Sequence, residues 1–78
     1  MSDKKRILVV DDEWVMRDSL KEWLVAEGFA SVQMAESGAQ ALEMLSESAF
    51  DLMLTDIKMP GMDGVELLEK AKQMQPEL

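Results

Sequence analysis

Three aspartates stand directly after apolar runs of the sequence, where their carboxylates could act together. Asp11 and Asp12 follow the run Arg6–Val10, and Asp56 follows the run Asp51–Thr55. If both runs are neighbouring parallel strands, their carboxyl ends lie at the same edge of a sheet, and the three carboxylates converge although they are far apart in the sequence. Carboxylates held this close repel one another unless a cation lies among them.

The residue types at this predicted site favour a hard divalent cation. The chain contains no His and no Cys, so the ligands are all oxygen atoms, which suit Mg²⁺ or Mn²⁺ better than zinc. A purely structural interpretation also exists, because an aspartate after a strand often only caps the next helix, and Asp12 could do so for the helix through Trp14. An acidic pair and a third aspartate at adjacent strand ends together favour the metal site.

Three short apolar runs predict the strands that position these acids. Arg6–Val10 is continuously apolar after its first residue, which is typical of a strand covered on both faces. Ser31–Ala35 alternates apolar and polar residues, as an edge strand does. Asp51–Thr55 has an apolar centre like the first run, so we predict an interior strand whose outer neighbour is absent from this chain.

An amphipathic stretch follows each predicted strand, and cap and stop residues bound the resulting helices. Ser37 with Gln40 and Asp63 with Glu66 have the spacing of helix N-terminal caps. Helix stops are predicted at Gly28 and around Pro76. The predicted apolar faces are Met16, Leu20, Trp23 and Leu24 in the first helix, Ala41, Leu42, Leu45 and Ala49 in the second, and Leu67, Leu68, Ala71 and Met74 in the third.

This alternation of strand and helix predicts an α/β fold with a parallel sheet and right-handed crossovers. The fully apolar first strand belongs in the centre and the alternating second strand at an edge, which gives the strand order 2-1-3. The topological switch point, where α/β sheets bind their ligands, then lies between the carboxyl ends of strands one and three.

Length and composition limit the classes of function. Seventy-eight residues form one small domain at most, and a net charge of −8 argues against nucleic-acid binding by this segment. The absence of cysteine excludes disulfides and fits a reducing compartment. The apolar run Ile7–Val10 is too short for a signal peptide or a membrane span. We therefore predict a cytoplasmic protein with neither a membrane nor a nucleic-acid partner for this segment.

Three segments, Ile7–Glu13, Ser37–Leu42 and Leu54–Gly64, resemble the receiver domain of bacterial two-component response regulators. The resemblance implies that Asp56 accepts a phosphoryl group from the phosphohistidine of a sensor histidine kinase. It also implies that Asp12 binds Mg²⁺ directly, that Asp11 binds it mostly through water, and that Asp56 and the backbone carbonyl of Lys58 are further ligands. Met59, Pro60 and Gly64 match the loop that shapes the family's pocket.

The chain departs from the family in its length. A complete receiver resembles a five-stranded flavodoxin-like sheet, with a Ser or Thr after strand four and a Lys after strand five. Residues 1–78 are therefore expected to be a partial receiver domain, a truncated flavodoxin-like three-layer structure of three βα units. Neither Thr55 nor Lys58 is placed to substitute for the missing residues, so we expect that the chain is unable to switch by itself.

Two other functions compete with the phosphoacceptor. The first is a Mg²⁺-dependent phosphohydrolase, whose pattern has a second Asp two residues after the nucleophile; Lys58 occupies that position and argues against an enzyme. The second is a non-catalytic fragment that assembles through its open sheet edge. Leu52, Met53 and Leu54 would present unpaired backbone groups there, and pairing of two third strands across a two-fold axis predicts a homodimer.

Overall fold

Six elements alternate between strand and helix in the computed structural model, which describes residues 5–56 and 61–78. They are β1 Arg6–Val10, α1 Trp14–Ala26, β2 Ser31–Ala35, α2 Gly38–Glu47, β3 Leu52–Thr55 and α3 Gly64–Met74. The first two strands have the predicted bounds. The third begins one residue later than predicted. Asp51, just before it, is held to the start of β1: its carboxylate accepts a hydrogen bond from the Arg6 amide at 2.8 Å, and its amide donates to the Arg6 carbonyl at 2.8 Å.

The strands form one parallel sheet in the order β2-β1-β3, which confirms the predicted order. Ile7 of β1 pairs with Val32 on one side and with Leu52 on the other. Residues Ile7–Val10 are at most 1% exposed, as expected of a central strand covered on both faces. Within the described residues β3 is an edge strand, and Leu52 is 44% exposed.

Helices cover both faces of the sheet, but unequally. Leu8 and Val10 of β1 point into a core with α2 and α3, which contribute Ala41, Leu45, Leu67 and Ala71. Ile7 and Val9 point to the other face, where Leu24 of α1 completes a smaller core with Val32. The α/β three-layer arrangement is therefore as predicted, with two helices on one face and one helix on the other. No helix in the described parts of the chain is long and apolar enough to cross a membrane.

The apolar faces of the helices are narrower than predicted. In α1 only Leu24 is buried and Leu20 is half-buried, whereas Met16 and Trp23 are 47% and 58% exposed. A single helix on a three-stranded sheet contacts it along one narrow ridge, so residues on the flanks of that ridge stay in solvent. Leu68 and Met74 on α3 are also exposed. Ala49 lies beyond the end of α2 rather than on its face.

The predicted caps are present and hold the helix ends. The Ser37 hydroxyl accepts a hydrogen bond from the Gln40 amide at 3.1 Å, and the Gln40 side chain accepts one from the Glu36 amide at 2.8 Å. The Asp63 carboxylate accepts from the Glu66 amide at 2.8 Å. Gly28 has a φ of 106° just after α1, a conformation that glycine adopts without strain.

Gln75, directly after α3, connects this helix to the last turn of α2 and to the segment between α2 and β3. Its side-chain amide donates hydrogen bonds to the carbonyls of Leu45 and Ser48 at 2.8 and 2.7 Å. Its side-chain oxygen accepts one from the Phe50 amide at 2.9 Å. These three bonds join residues 25 to 30 positions apart, so the side chain fastens two βα units to each other.

Replacement of Gln75 by Leu should lower the free energy of unfolding by about 2 kcal/mol, because three partly buried backbone groups lose their partners at about 0.5–1.5 kcal/mol each. Urea unfolding followed by circular dichroism measures the change. Gln73→Leu, at an exposed position of α3, is the matched control and should change stability by less than about 0.5 kcal/mol. Equal midpoints for both variants would contradict a fastening role for Gln75.

Candidate metal centre

The ends of β1 and β3 bring three carboxylates together. Asp11 and Asp12 follow β1, Asp56 follows β3, and one carboxylate oxygen from each lies within 4.8 Å of the others. Asp11 is buried at 7% exposure, whereas Asp12 is exposed. The structure therefore shows the predicted convergence of the three acids, which follows from parallel pairing of the two strands that carry them.

Backbone hydrogen bonds fix both strand ends at this edge. The amide of Asp11 donates to the carbonyl of Ala35 at 3.2 Å, which ties the end of β1 to the end of β2. The amide of Asp56 donates to the carbonyl of Val10 at 3.1 Å, which ties the end of β3 to β1. The Thr55 hydroxyl donates to the carbonyl of Asp56 at 3.0 Å. The backbone positions of Asp11 and Asp56 are thus set by the sheet.

The turn between β1 and α1 is held by Asp11 and Arg17. One carboxylate oxygen of Asp11 accepts a hydrogen bond from the Glu13 amide at 3.0 Å, and the Asp11 carbonyl accepts one from Nη1 of Arg17 at 2.7 Å. The N-cap of α1 is Glu13, whose side chain makes no cap bond. The alternative in which Asp12 is only a helix cap is therefore wrong. Sequence reasoning assigned no role to Arg17.

The spacing of the oxygens fits a small divalent cation. Ligands of an octahedral Mg²⁺ lie about 2.1 Å from the ion, so two of them are about 3 Å apart when adjacent and about 4.2 Å apart when opposite. A group of three carboxylate oxygens within 4.8 Å needs only small side-chain movements to reach such distances. Lys58, whose backbone carbonyl is the fourth predicted protein ligand, lies outside the described residues, as do Met59 and Pro60.

A close contact positions the segment that leads into α3. Gly38, the buried first residue of α2, lies so near Met62 that an added Cβ would be 2.9 Å from the Met62 sulfur. Any larger residue at position 38 would therefore require the Met62 side chain to shift. The sequence showed Gly38 only as part of a helix start, and no local pattern indicated the contact with Met62.

The comparisons with known proteins agree with this geometry. The family model described as "Response regulator receiver domain" matches residues 7–78. The chemotaxis protein CheY of Bacillus subtilis is 49% identical over 69 residues, which are 88% of this chain and 58% of that protein. The chain thus spans less than two thirds of the length of this relative.

Solved structures show the same architecture. The response regulator TrrA of Thermotoga maritima, crystallised in complex with Mg²⁺-BeF, superposes with a TM-score of 0.86 at 42% identity, covering 92% of this chain and 62% of TrrA. TrrA in a complex with the histidine kinase ThkA gives a TM-score of 0.86 at 41% identity over 94% of this chain and 62% of that chain. Because the family match extends over nearly the whole chain and solved receivers share its sheet, the chain belongs to the response regulator receiver domain family.

Proposed function

We propose that the chain is the phosphoacceptor module of a phosphorelay, in which Asp56 receives a phosphoryl group from the phosphohistidine of a sensor histidine kinase. The observation that carries this proposal is the group of carboxylate oxygens of Asp11, Asp12 and Asp56 within 4.8 Å at the switch point of the sheet. The resemblance to TrrA, which forms a complex with the histidine kinase ThkA, supports a kinase as the partner.

In this proposal each acid has its own task. An Asp56 oxygen attacks the phosphorus, the new O–P bond forms as the bond from phosphorus to the histidine nitrogen breaks, and the electron pair stays with the imidazole. Asp11, Asp12, the Lys58 carbonyl and Asp56 itself would hold Mg²⁺. When bound, Mg²⁺ offsets the charge of the phosphoryl oxygens, which otherwise repel the attacking carboxylate. The hydrogen bond from the Asp56 amide to Val10 keeps the nucleophile at a fixed position.

The receiver family consists of signalling modules, and the residues of this chain support that role over the phosphohydrolase. Hydrolysis in the competing class needs a general acid two residues after the nucleophile, where this chain has Lys58.

We further propose that residues 1–78 are a partial receiver domain, since they correspond to 58% of CheY and 62% of TrrA. The cytoplasmic location and the absence of a nucleic-acid partner stay predictions from composition.

Substitution of Asp12 by Ala should weaken Mg²⁺ binding more than about tenfold, because a direct ligand is lost. Trp14, two residues from Asp12 and 67% exposed, is the fluorescent reporter. Titration with Mg²⁺ in a Trp23→Phe background assigns the quenching to Trp14. Asp18→Ala removes an exposed acid of α1 as the matched control and should bind like the parent. Equal quenching in the Asp12→Ala variant would refute the ligand assignment.

Asp56 should be the only acid that takes up a phosphoryl group from acetyl phosphate in the presence of Mg²⁺. Intact-mass spectrometry is expected to show one added phosphoryl group on the wild type and on Asp18→Asn, and none on Asp56→Asn. Labelling of Asp56→Asn would mean that another residue is the nucleophile, and an unlabelled wild type would favour the assembly function.

We also propose that two copies of the chain pair through the edge of β3, with the two strands antiparallel across a two-fold axis. Exposed apolar strand edges recruit other strands, and Leu52 is exposed at this edge. Sedimentation equilibrium at micromolar concentration should show a dimer for the wild type and a monomer for Leu52→Lys. Val65→Lys, at an exposed apolar position of α3, is the control and should remain dimeric. A well-folded wild-type monomer would refute this pairing.

A further inference from the structure

Arg17 lies in the first turn of α1 and reaches back to the turn that carries the acids. Its Nη1 atom donates to the Asp11 carbonyl at 2.7 Å, at the short end of the range for a charged donor. Its backbone amide donates to the Glu13 carbonyl at 3.1 Å. We propose that Arg17 is a positioning residue that fixes the Asp11–Glu13 turn so that the carboxylates of Asp11 and Asp12 face Asp56. The inference rests on the metal-binding function proposed above.

The start of α1 needs such support because it lacks the cap that the other helices have. Ser37 and Asp63 accept hydrogen bonds from the third residue of their helices, whereas Glu13 makes no such bond. The Asp11 carboxylate instead accepts from the Glu13 amide. The course of the turn therefore depends on how Asp11 itself is held.

Asp11 is held from two sides by groups outside the turn. On the sheet side its amide donates to the carbonyl of Ala35. On the helix side its carbonyl accepts from the Arg17 guanidinium. The Arg17 side chain is half-buried, which limits competition from water for this bond.

A positioning role and a simple charge effect predict opposite results. The positive charge of Arg17 beside the acids opposes a second cation, so a charge effect alone would make Mg²⁺ bind more tightly once the charge is removed. If Arg17 instead fixes the turn, its removal disorders the ligands and weakens binding. The sign of the change in Mg²⁺ affinity therefore separates the two roles.

The first test compares Arg17→Met, Arg17→Lys and the charge-matched control Lys21→Met, one turn further along α1. Mg²⁺ affinity is measured by Trp14 quenching in the Trp23→Phe background. Arg17→Met should bind roughly tenfold more weakly, as loss of groups that orient metal ligands typically does. Arg17→Lys should recover part of the loss, and Lys21→Met should bind like the parent. Unchanged or tighter binding by Arg17→Met would overturn the proposal.

The second test needs no metal and separates this inference from the proposed function. Amide hydrogen exchange of Glu13, whose N–H is bonded to Asp11, should be several-fold faster in metal-free Arg17→Met than in the wild type. Exchange at Leu24 in the same helix should be unchanged. Should the wild type fail to bind Mg²⁺, the metal function is wrong, yet faster Glu13 exchange would still support the positioning role. Unchanged Glu13 exchange, or uniform acceleration along the chain, would overturn it.

Discussion

Parallel pairing of β1 with both of its neighbours is the constraint on which the rest of the structure depends. Because the strands run in the same direction, Asp11 and Asp56 lie at one edge of the sheet; antiparallel pairing would have separated them by the length of a strand. Burial of β1 on both faces also demands apolar side chains throughout Ile7–Val10. Polar chemistry is therefore confined to the strand end, where the backbone emerges from between the layers of helices.

The burial of Asp11 is tolerated because its polar groups have hydrogen-bond partners. Its amide, its carbonyl and one carboxylate oxygen are all hydrogen-bonded, to Ala35, Arg17 and Glu13 respectively. Burial of an unpartnered carboxylate would cost several kcal/mol. The bond between the Glu13 amide and the Asp11 carboxylate also restricts the direction of the Asp11 side chain. A contact that makes the burial of Asp11 tolerable therefore also orients its carboxylate.

The sequence predicted what depends on local pattern and missed what depends on distant contacts. Strand positions, the caps at Ser37 and Asp63, the strand order and the convergence of the acids follow from periodicity and from parallel topology. The exposure of Trp23 was missed, because spacing defines a helix face but not the width of the surface that covers it. Gln75 bonds to residues 25 to 30 positions earlier in the sequence, and no neighbouring residue indicates this.

Helices cover the two faces of the sheet unequally, and the acidic turn leads into the helix on the less protected face. The larger core lies under α2 and α3, whereas α1 alone covers the other face and buries only Leu24. Elements with few buried apolar contacts open at lower free energy than the core. Since Arg17 carries the hydrogen bond from α1 to Asp11, opening of this helix also releases the acidic turn. The stability of α1 is therefore linked, through Arg17, to the geometry of the acids.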